Sequence, residues 1–385
     1  MHDVAAHVDF CDLAASLTTR LGVKRRPGDE KAFADALIAQ MRADRLMAVV
    51  VGPDHGGPGL GLAEVARITE RIARHSGSAG LIYAMHMSQA LSVVQHGRGA
   101  FFDALQRRMV RDQLLIASGT SEKGPGGDIF TSICTVATGA DGRITGQKES
   151  PNISYLDHAG LILLSANRAD AKGRLRQVLV ALDLADVTVA VPYPSGFLGM
   201  RGILNQPVVL SFSAPPEAVF PDLFAPIARR TMTPTIQILW AALWSGIAAG
   251  VIDKAKLFLE REMGTDAESA TIARHDLTRI INRHAAMNAL IREAIAGYGA
   301  DMASAASIGF GPAAQINRLK VEASETLVEI CLAALRLIGI RGYAMAGPYS
   351  VAEAMADALS APIMVSNTRL VMNTAAIEKF VEERL

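Results

Sequence analysis

Cysteine is scarce: the 385 residues hold three, Cys11, Cys134 and Cys331, far apart in the chain. Such spacing makes neither a disulfide framework nor a metal-ligand set, so no metal is expected and the thiols read as buried. Net charge is absent as well, because 38 basic and 38 acidic side chains cancel. No basic excess points to nucleic acid, and no charged tail points to a membrane surface. The first residues, Met1-His2-Asp3-Val4, lack the basic-then-apolar pattern of a signal peptide, so a reducing cytoplasm is the expected compartment. Half of the residues are apolar, enough for a large core, and the length favours two or three domains.

One stretch is long and free of charge. Residues 231–252 carry Ile236, Leu239, Trp240, Leu243, Trp244, Ile247 and Val251. Its length nearly spans a bilayer. Pro234, Gln237 and Ser245 interrupt it, and it runs on into Asp253-Lys254-Ala255-Lys256. A helix that is apolar all round needs neighbours on every side, so this one reads as the buried centre of a helix bundle.

The character of the chain changes twice. Residues 33–115 are mostly helical in pattern, with Val65, Ile68, Ile72 and Ala73 at helical spacing and Gly56-Gly57-Pro58-Gly59 as a sharp break before them. From about residue 117 to 220 short β-prone runs alternate with turns: 133–137, 161–165, 177–182, 187–191 and 208–213. Beyond that, long periodic segments return at 236–262, 268–296 and 312–338, with a last helix from about 351. The reading is an α+β fold: a helical domain over 1–115, an antiparallel β-domain over 116–222 and a helical bundle over 223–385.

Two local signatures carry chemistry. Ser121-Glu122-Lys123-Gly124-Pro125-Gly126-Gly127-Asp128 is a glycine-dense turn with bare backbone amides and an acidic brace. Exposed amides in such a turn favour an anion. Gly146-Gln147-Lys148 leads to Asn152-Ile153-Ser154, which ends in a hydroxyl suited to a flat heterocycle. Each alone is usually a turn or a strand end.

Read in order with two more segments, these signatures resemble the acyl-CoA dehydrogenase superfamily from about residue 30 onward. Pro53-Asp54-His55-Gly56-Gly57-Pro58-Gly59 is similar to its early glycine segment, and Ser121 to Asp128 to its Thr-Glu-Pro-x-x-Gly-Ser-Asp flavin loop. Leu198-Gly199-Met200-Arg201-Gly202 and Leu337-Ile338-Gly339-Ile340-Arg341-Gly342-Tyr343 match its later turns. The resemblance implies an N-terminal helical domain, a middle β-domain, a C-terminal four-helix bundle and bound FAD. It implies that Thr120, Ser121, Gly126, Gly127, Asp128, Ile153 and Ser154 hold the flavin, Gly127 standing where the family has serine. It further implies that Arg261 reaches the flavin pyrophosphate of a neighbouring subunit in a homodimer or homotetramer, and that Arg336, at the adenine end where the family has glutamine, binds the cofactor together with Gly339 and Gly342. Met263-Gly264 follow Arg261 where the family has Phe-Gly.

The pattern breaks where a dehydrogenase needs a base. Removing an α-proton from a thioester requires a positioned carboxylate. The family's two glutamate positions align with Val365 and Ile236, and neither can take a proton. Asn152 replaces a bulky tryptophan beside the isoalloxazine, which would let molecular oxygen approach. The expected function is therefore a flavin-dependent oxygenase acting on a small molecule, a CoA thioester or a related cyclic compound, with a flavin reductase as a candidate partner. Relatives with this fold include oxygenases that act on aromatic or cyclic substrates and one type that cleaves CoA thioesters on the way to tropones. Asn152, Ser154 and His86 are the catalytic candidates, His86 with the alternative of a satisfied buried histidine. The alternatives are a dehydrogenase recruiting Glu149 or Glu353 as base, and a non-catalytic flavoprotein.

Overall fold

The charge-free stretch becomes the spine of the molecule. In a computed structural model describing residues 9–21, 29–193, 196–262, 268–303 and 309–380, it lies within a helix packed on several sides. The N-terminal part holds helices α1 (Phe10–Leu21), α2 (Glu30–Ala43), α3 (Leu62–Ala73), α4 (Gly77–His96) and α5 (Ala100–Asp112). In α3 the buried residues Val65, Ala66, Ile68, Thr69, Ile72 and Ala73 recur three and four apart, leaving Glu64, Arg67, Glu70 and Arg71 outside. α4 starts where the Ser76 hydroxyl accepts from the Ala79 amide at 3.3 Å, and it is almost wholly buried.

Eight strands follow: β1 (Ile116–Gly119), β2 (Thr135–Thr138), β3 (Ile144–Ile153), β4 (Leu161–Ala169), β5 (Leu175–Asp183), β6 (Val187–Ala190), β7 (Gln206–Ala214) and β8 (Val219–Leu223). They form one sheet in the order β6-β7-β3-β2-β4-β5-β8, with β1 also beside β4. The sheet is mixed rather than antiparallel throughout, since β1 and β2 both run parallel to β4. The reason is connectivity: the glycine loop after β1 carries the chain around before it re-enters as β2.

The C-terminal part runs through α6 (Phe224–Ile227), a π-helical turn over Ala228–Met232, and α7 (Thr233–Glu262), α8 (Glu268–Ala303), α9 (Phe310–Ile338), α10 (Ile340–Tyr343), α11 (Ala352–Ser360) and α12 (Asn367–Ile377). α7 packs against α3, α4, α8 and α9, and 89% of its most apolar window is buried. The close approach to α3 requires glycine: a Cβ on Gly246 would stand 2.3 Å from the Glu70 carbonyl oxygen and 2.7 Å from the Ala73 Cβ. α12 closes over α9, completing the helical bundle. Cys134 and Cys331 are buried as expected, whereas Cys11 is only partly so.

Candidate functional site

The glycine loop is built by its own acids. Glu122 accepts from the Ser132 hydroxyl at 2.7 Å and from the Ile133 and Cys134 amides at 3.1 and 2.7 Å. Lys148, fully buried, stands 3.5 Å away and donates to the Ser165 carbonyl and hydroxyl at 2.7 and 3.0 Å. Burial pushes the Glu122 carboxyl up, but the Ser132 bond, the Lys148 charge and the two amides outweigh it and hold it below the usual carboxylate range. Burial in turn lowers the Lys148 ammonium, against the pull of Glu122. Asp128 accepts from the Phe130 amide at 3.0 Å and the Thr131 hydroxyl at 2.8 Å. Between these two braces the backbone turns through left-handed φ at Gly124, Gly126 and Gly127 (115°, 63° and 83°). Glycine is the residue that enters this region without steric cost.

The end of β3 lies beside this loop. The Ser121 hydroxyl donates to the Asn152 carbonyl at 2.9 Å and stands 2.7 Å from the Ser150 hydroxyl. The pairing of β3 with β7 slips between Ser150 and Ile153, and this bulge re-aims the strand end. Asn152 is exposed, and the Ser154 hydroxyl donates to Asn205 Oδ1 at 3.3 Å.

Loop and strand end form one wall of a cleft of about 1450 Å³. Thr120, Ser121, Gly126, Gly127, Asp128, Asn152 and Ser154 line it together. Other walls come from α4, the start of α7, the first turns of α9, and the α11–α12 turn with Met364 and Val365. Ile236 and Val365, the two expected proton-acceptor positions, both line the cleft as hydrocarbon. Lys320, fully buried on α9, holds the α11–α12 turn by donating to the Ala361 carbonyl (3.0 Å), the Val365 carbonyl (2.7 Å) and Asn367 Oδ1 (2.6 Å).

Several expected residues fall elsewhere. His86 is fully buried and does not line the cleft, unlike its neighbours Met85 and Gln89. Its Nδ1 accepts from the Ile116 amide at 3.0 Å and its Nε2 donates to the Met47 carbonyl at 2.7 Å, so it is a structural histidine, not a substrate contact. The Ile153 side chain is buried in the core beneath the strand end. Arg261, Arg336, Gly339 and Gly342 stand at the far end of the bundle. Residue 261 lies 28 positions beyond the Thr233 end of α7, about 40 Å along a helix axis. Glu149 pairs with Lys123 at 2.6 Å and, like Glu353, is not among the cleft residues.

Other cleft residues escaped the sequence reading. Arg369 on α12 donates to the Gly126 carbonyl, and its Nη1 stands 3.0 Å from where a Cβ on Gly127 would be. The guanidinium thus fills the space of the serine side chain that the resemblance implies at 127. Arg229, in the π-helical turn, stands 5.3 Å from the ring centre of Phe130 and also lines the cleft. Asp301 is a cleft carboxylate near the end of α8, held above its ordinary value by burial. Nothing in their local sequence marks these side chains, because only the packing of distant helices brings them to the loop.

Bare amides in left-handed turns, two guanidinium groups and a row of hydroxyls suit a flat cofactor with a phosphate tail. Residues 19–111 match the family described as acyl-CoA dehydrogenase, N-terminal domain. FMN-bound TdsC from Paenibacillus sp. A11-2, a dibenzothiophene monooxygenase, superposes with a TM-score of 0.83 at 15% identity, covering 96% of this chain and 97% of that one. The chain has the acyl-CoA dehydrogenase fold. Butyryl-CoA dehydrogenase from Megasphaera elsdenii shares it at a TM-score of 0.79 and 18% identity over 98% of this chain and all of its own (100%). KijD3, in complex with FMN and a dTDP-sugar, does so at 0.81 and 19% over 98% and 95%. The acyl-CoA dehydrogenase fold therefore carries both oxygenation and dehydrogenation, and overall shape does not choose between them. No curated protein sequence matches the chain.

Proposed function

We propose that this acyl-CoA dehydrogenase-fold protein binds a flavin in the cleft and uses it to oxygenate a small cyclic molecule. One observation carries the reading: the two positions where a dehydrogenase of this fold holds its base are Ile236 and Val365, and both face the cleft. The residues present fit the cofactor. Ser121, Asn152 and Ser154 would meet the heterocycle, and the amides of Gly126 and Gly127 with Arg369 would hold the phosphate. FAD is the cofactor the sequence resemblance implies, while FMN accompanies TdsC and KijD3; the phosphate-binding groups here suit either. When bound, the flavin supplies the electrons and the reaction with oxygen. The protein orients the ring, leaves Asn152 as a small polar group beside it, and screens the substrate behind the apolar face of α4.

Arg261, Arg336, Gly339 and Gly342 would serve the cofactor of a second copy, which makes the active form a homodimer or homotetramer. Desaturation of a thioester would require another acid in place of the family's two glutamates. Asp301 gives that second reading a specific foothold, because burial raises its affinity for a proton.

The decisive test loads the protein with FMN or FAD, reduces it, and supplies ¹⁸O₂ with indole as probe. Product carrying one heavy oxygen, by mass spectrometry, is the expected result. Bleaching of the oxidised flavin by butyryl-CoA without oxygen, abolished in Asp301→Asn, would establish the dehydrogenase instead.

A further inference from the structure

The cleft holds one carboxylate without an internal partner. Asp301 lines it near the end of α8. The other cleft acids, Glu122 and Asp128, are occupied in bracing the glycine loop. Among the described residues Asp301 makes no hydrogen bond or ion pair, and burial is the one influence on its titration. It is half-buried, yet its oxygens are not sealed in the core. The two guanidinium groups of the cleft are engaged elsewhere: Arg369 donates to the Gly126 carbonyl, and Arg229 faces the Phe130 ring. Aromatic rings accompany the carboxylate. Tyr298 and Ala294 precede it by three and seven positions and line the same cleft, so one face of α8 presents all three. The Tyr298 hydroxyl accepts from Gln95 Nε2 at 3.3 Å, which ties the ring to α4. Phe310, in the first turn of α9, also lines the cleft and is 52% exposed.

We infer that this wall is an amine site, and that the substrate is a cyclic compound carrying a protonated amine whose ammonium pairs with Asp301. A carboxylate partly withdrawn from water, with no cation beside it, has its charged form disfavoured, and an ammonium brought by a ligand removes that penalty. No lysine lines the cleft among the described residues, so the cation has to arrive with the ligand. Aromatic rings on the same wall favour a cation over a neutral group of the same shape, through their negative faces. A hydrocarbon group would cover the carboxylate and leave it unpaired. An anionic group would be repelled by it. A carboxylate paired with an ammonium is also a weaker proton acceptor, so an amine seated here works against the dehydrogenase alternative. The inference rests on the reading that the cleft receives a small organic substrate, but not on which flavin it holds.

The test is equilibrium dialysis of tryptamine and its neutral isostere 3-propylindole against the full-length protein, with and without FMN. Asp301→Asn and Asp301→Glu are measured alongside, with circular dichroism confirming that each is folded. The wild-type protein is expected to prefer tryptamine, and the ratio of the two affinities to fall about tenfold in Asp301→Asn. Asp301→Glu keeps the charge and should keep a preference for the amine, which separates ion pairing from packing. The affinity for 3-propylindole should change by less than about twofold in either variant, since that probe lacks the charge. An unchanged ratio in Asp301→Asn, a wild-type preference for 3-propylindole, or binding of neither probe would overturn the inference. Tryptamine that binds through Asp301 but gains no ¹⁸O in protein loaded with reduced flavin would sink the oxygenase reading and leave the amine site standing.

Discussion

His86 shows how a buried side chain records its surroundings. Burial, the larger effect, drives its pKa down to about 4 against the Met47 bond that would raise it. In the unfolded chain the imidazole titrates near 6.5. Between about pH 6.5 and about 4 the unfolded state therefore binds a proton that the folded state refuses, and stability falls as the solution is acidified. The loss approaches about 3 kcal/mol below that window. In His86→Gln this dependence disappears while the pocket is less well filled. Urea unfolding at pH 7.5 is expected to show the variant less stable, with the gap narrowing steadily toward pH 4. A gap that stays constant would mean that another group titrates. Gly127 offers a second residue-scale test, since a side chain there meets Arg369 and a backbone φ of 83°. Gly127→Ser is expected to lose about 1–2 kcal/mol of stability. Adding Arg369→Ala should restore the steric part only, so a double-mutant cycle reads a coupling of about 0.5 kcal/mol or more. Strict additivity would refute the contact.

At the scale of elements, the α11–α12 turn is held against strain. Val365 sits at φ 54°, where a β-branched residue is disfavoured by about 1–2 kcal/mol. Its carbonyl is one of three acceptors for Lys320, whose ammonium burial pulls down to about 8 while Glu325 opposes. Lys320→Met would strip the Ala361 and Val365 carbonyls of this donor and leave Asn367 Oδ1 only the 3.3 Å bond from the Ser324 hydroxyl, and a loss of about 2–4 kcal/mol is expected in denaturant unfolding. Val365→Asn should move the other way by about 1 kcal/mol, because asparagine enters the left-handed region more readily and the valine side chain is 44% exposed. A destabilised asparagine variant would show that the turn is not strained. These elements also mark what a sequence reveals. α3 and α7 were legible because their apolar spacing is set by their own neighbours. β3 was not read as a strand, since its inward positions include Lys148 and Ser150, polar residues satisfied only by β4 and the glycine loop. The glycine loop was legible as a local motif. Arg369 and Asp301 were not, because only contacts between elements far apart in sequence bring them to the cleft.

At the scale of the whole molecule, the cleft is where three independently recognisable parts meet. α4 comes from the helical N-terminal part, the glycine loop and the β3 end from the sheet, and α7, α9 and α12 from the bundle. A ligand seated there touches all three, so its binding energy is shared among them rather than confined to one. Ligand that binds only the folded state stabilises it by about 2.7 kcal/mol at a hundred times its Kd. Calorimetry with FMN or FAD at that excess is therefore expected to move the entire unfolding endotherm upward as one transition. Arg369→Ala should reduce the shift by weakening the phosphate contact while leaving the flavin-free midpoint nearly unchanged, since its guanidinium lies at the surface of the loop rather than in the core. An endotherm that splits, with only a later component moved by flavin, would mean that the bundle and sheet unfold separately and that the cofactor is held by one of them alone.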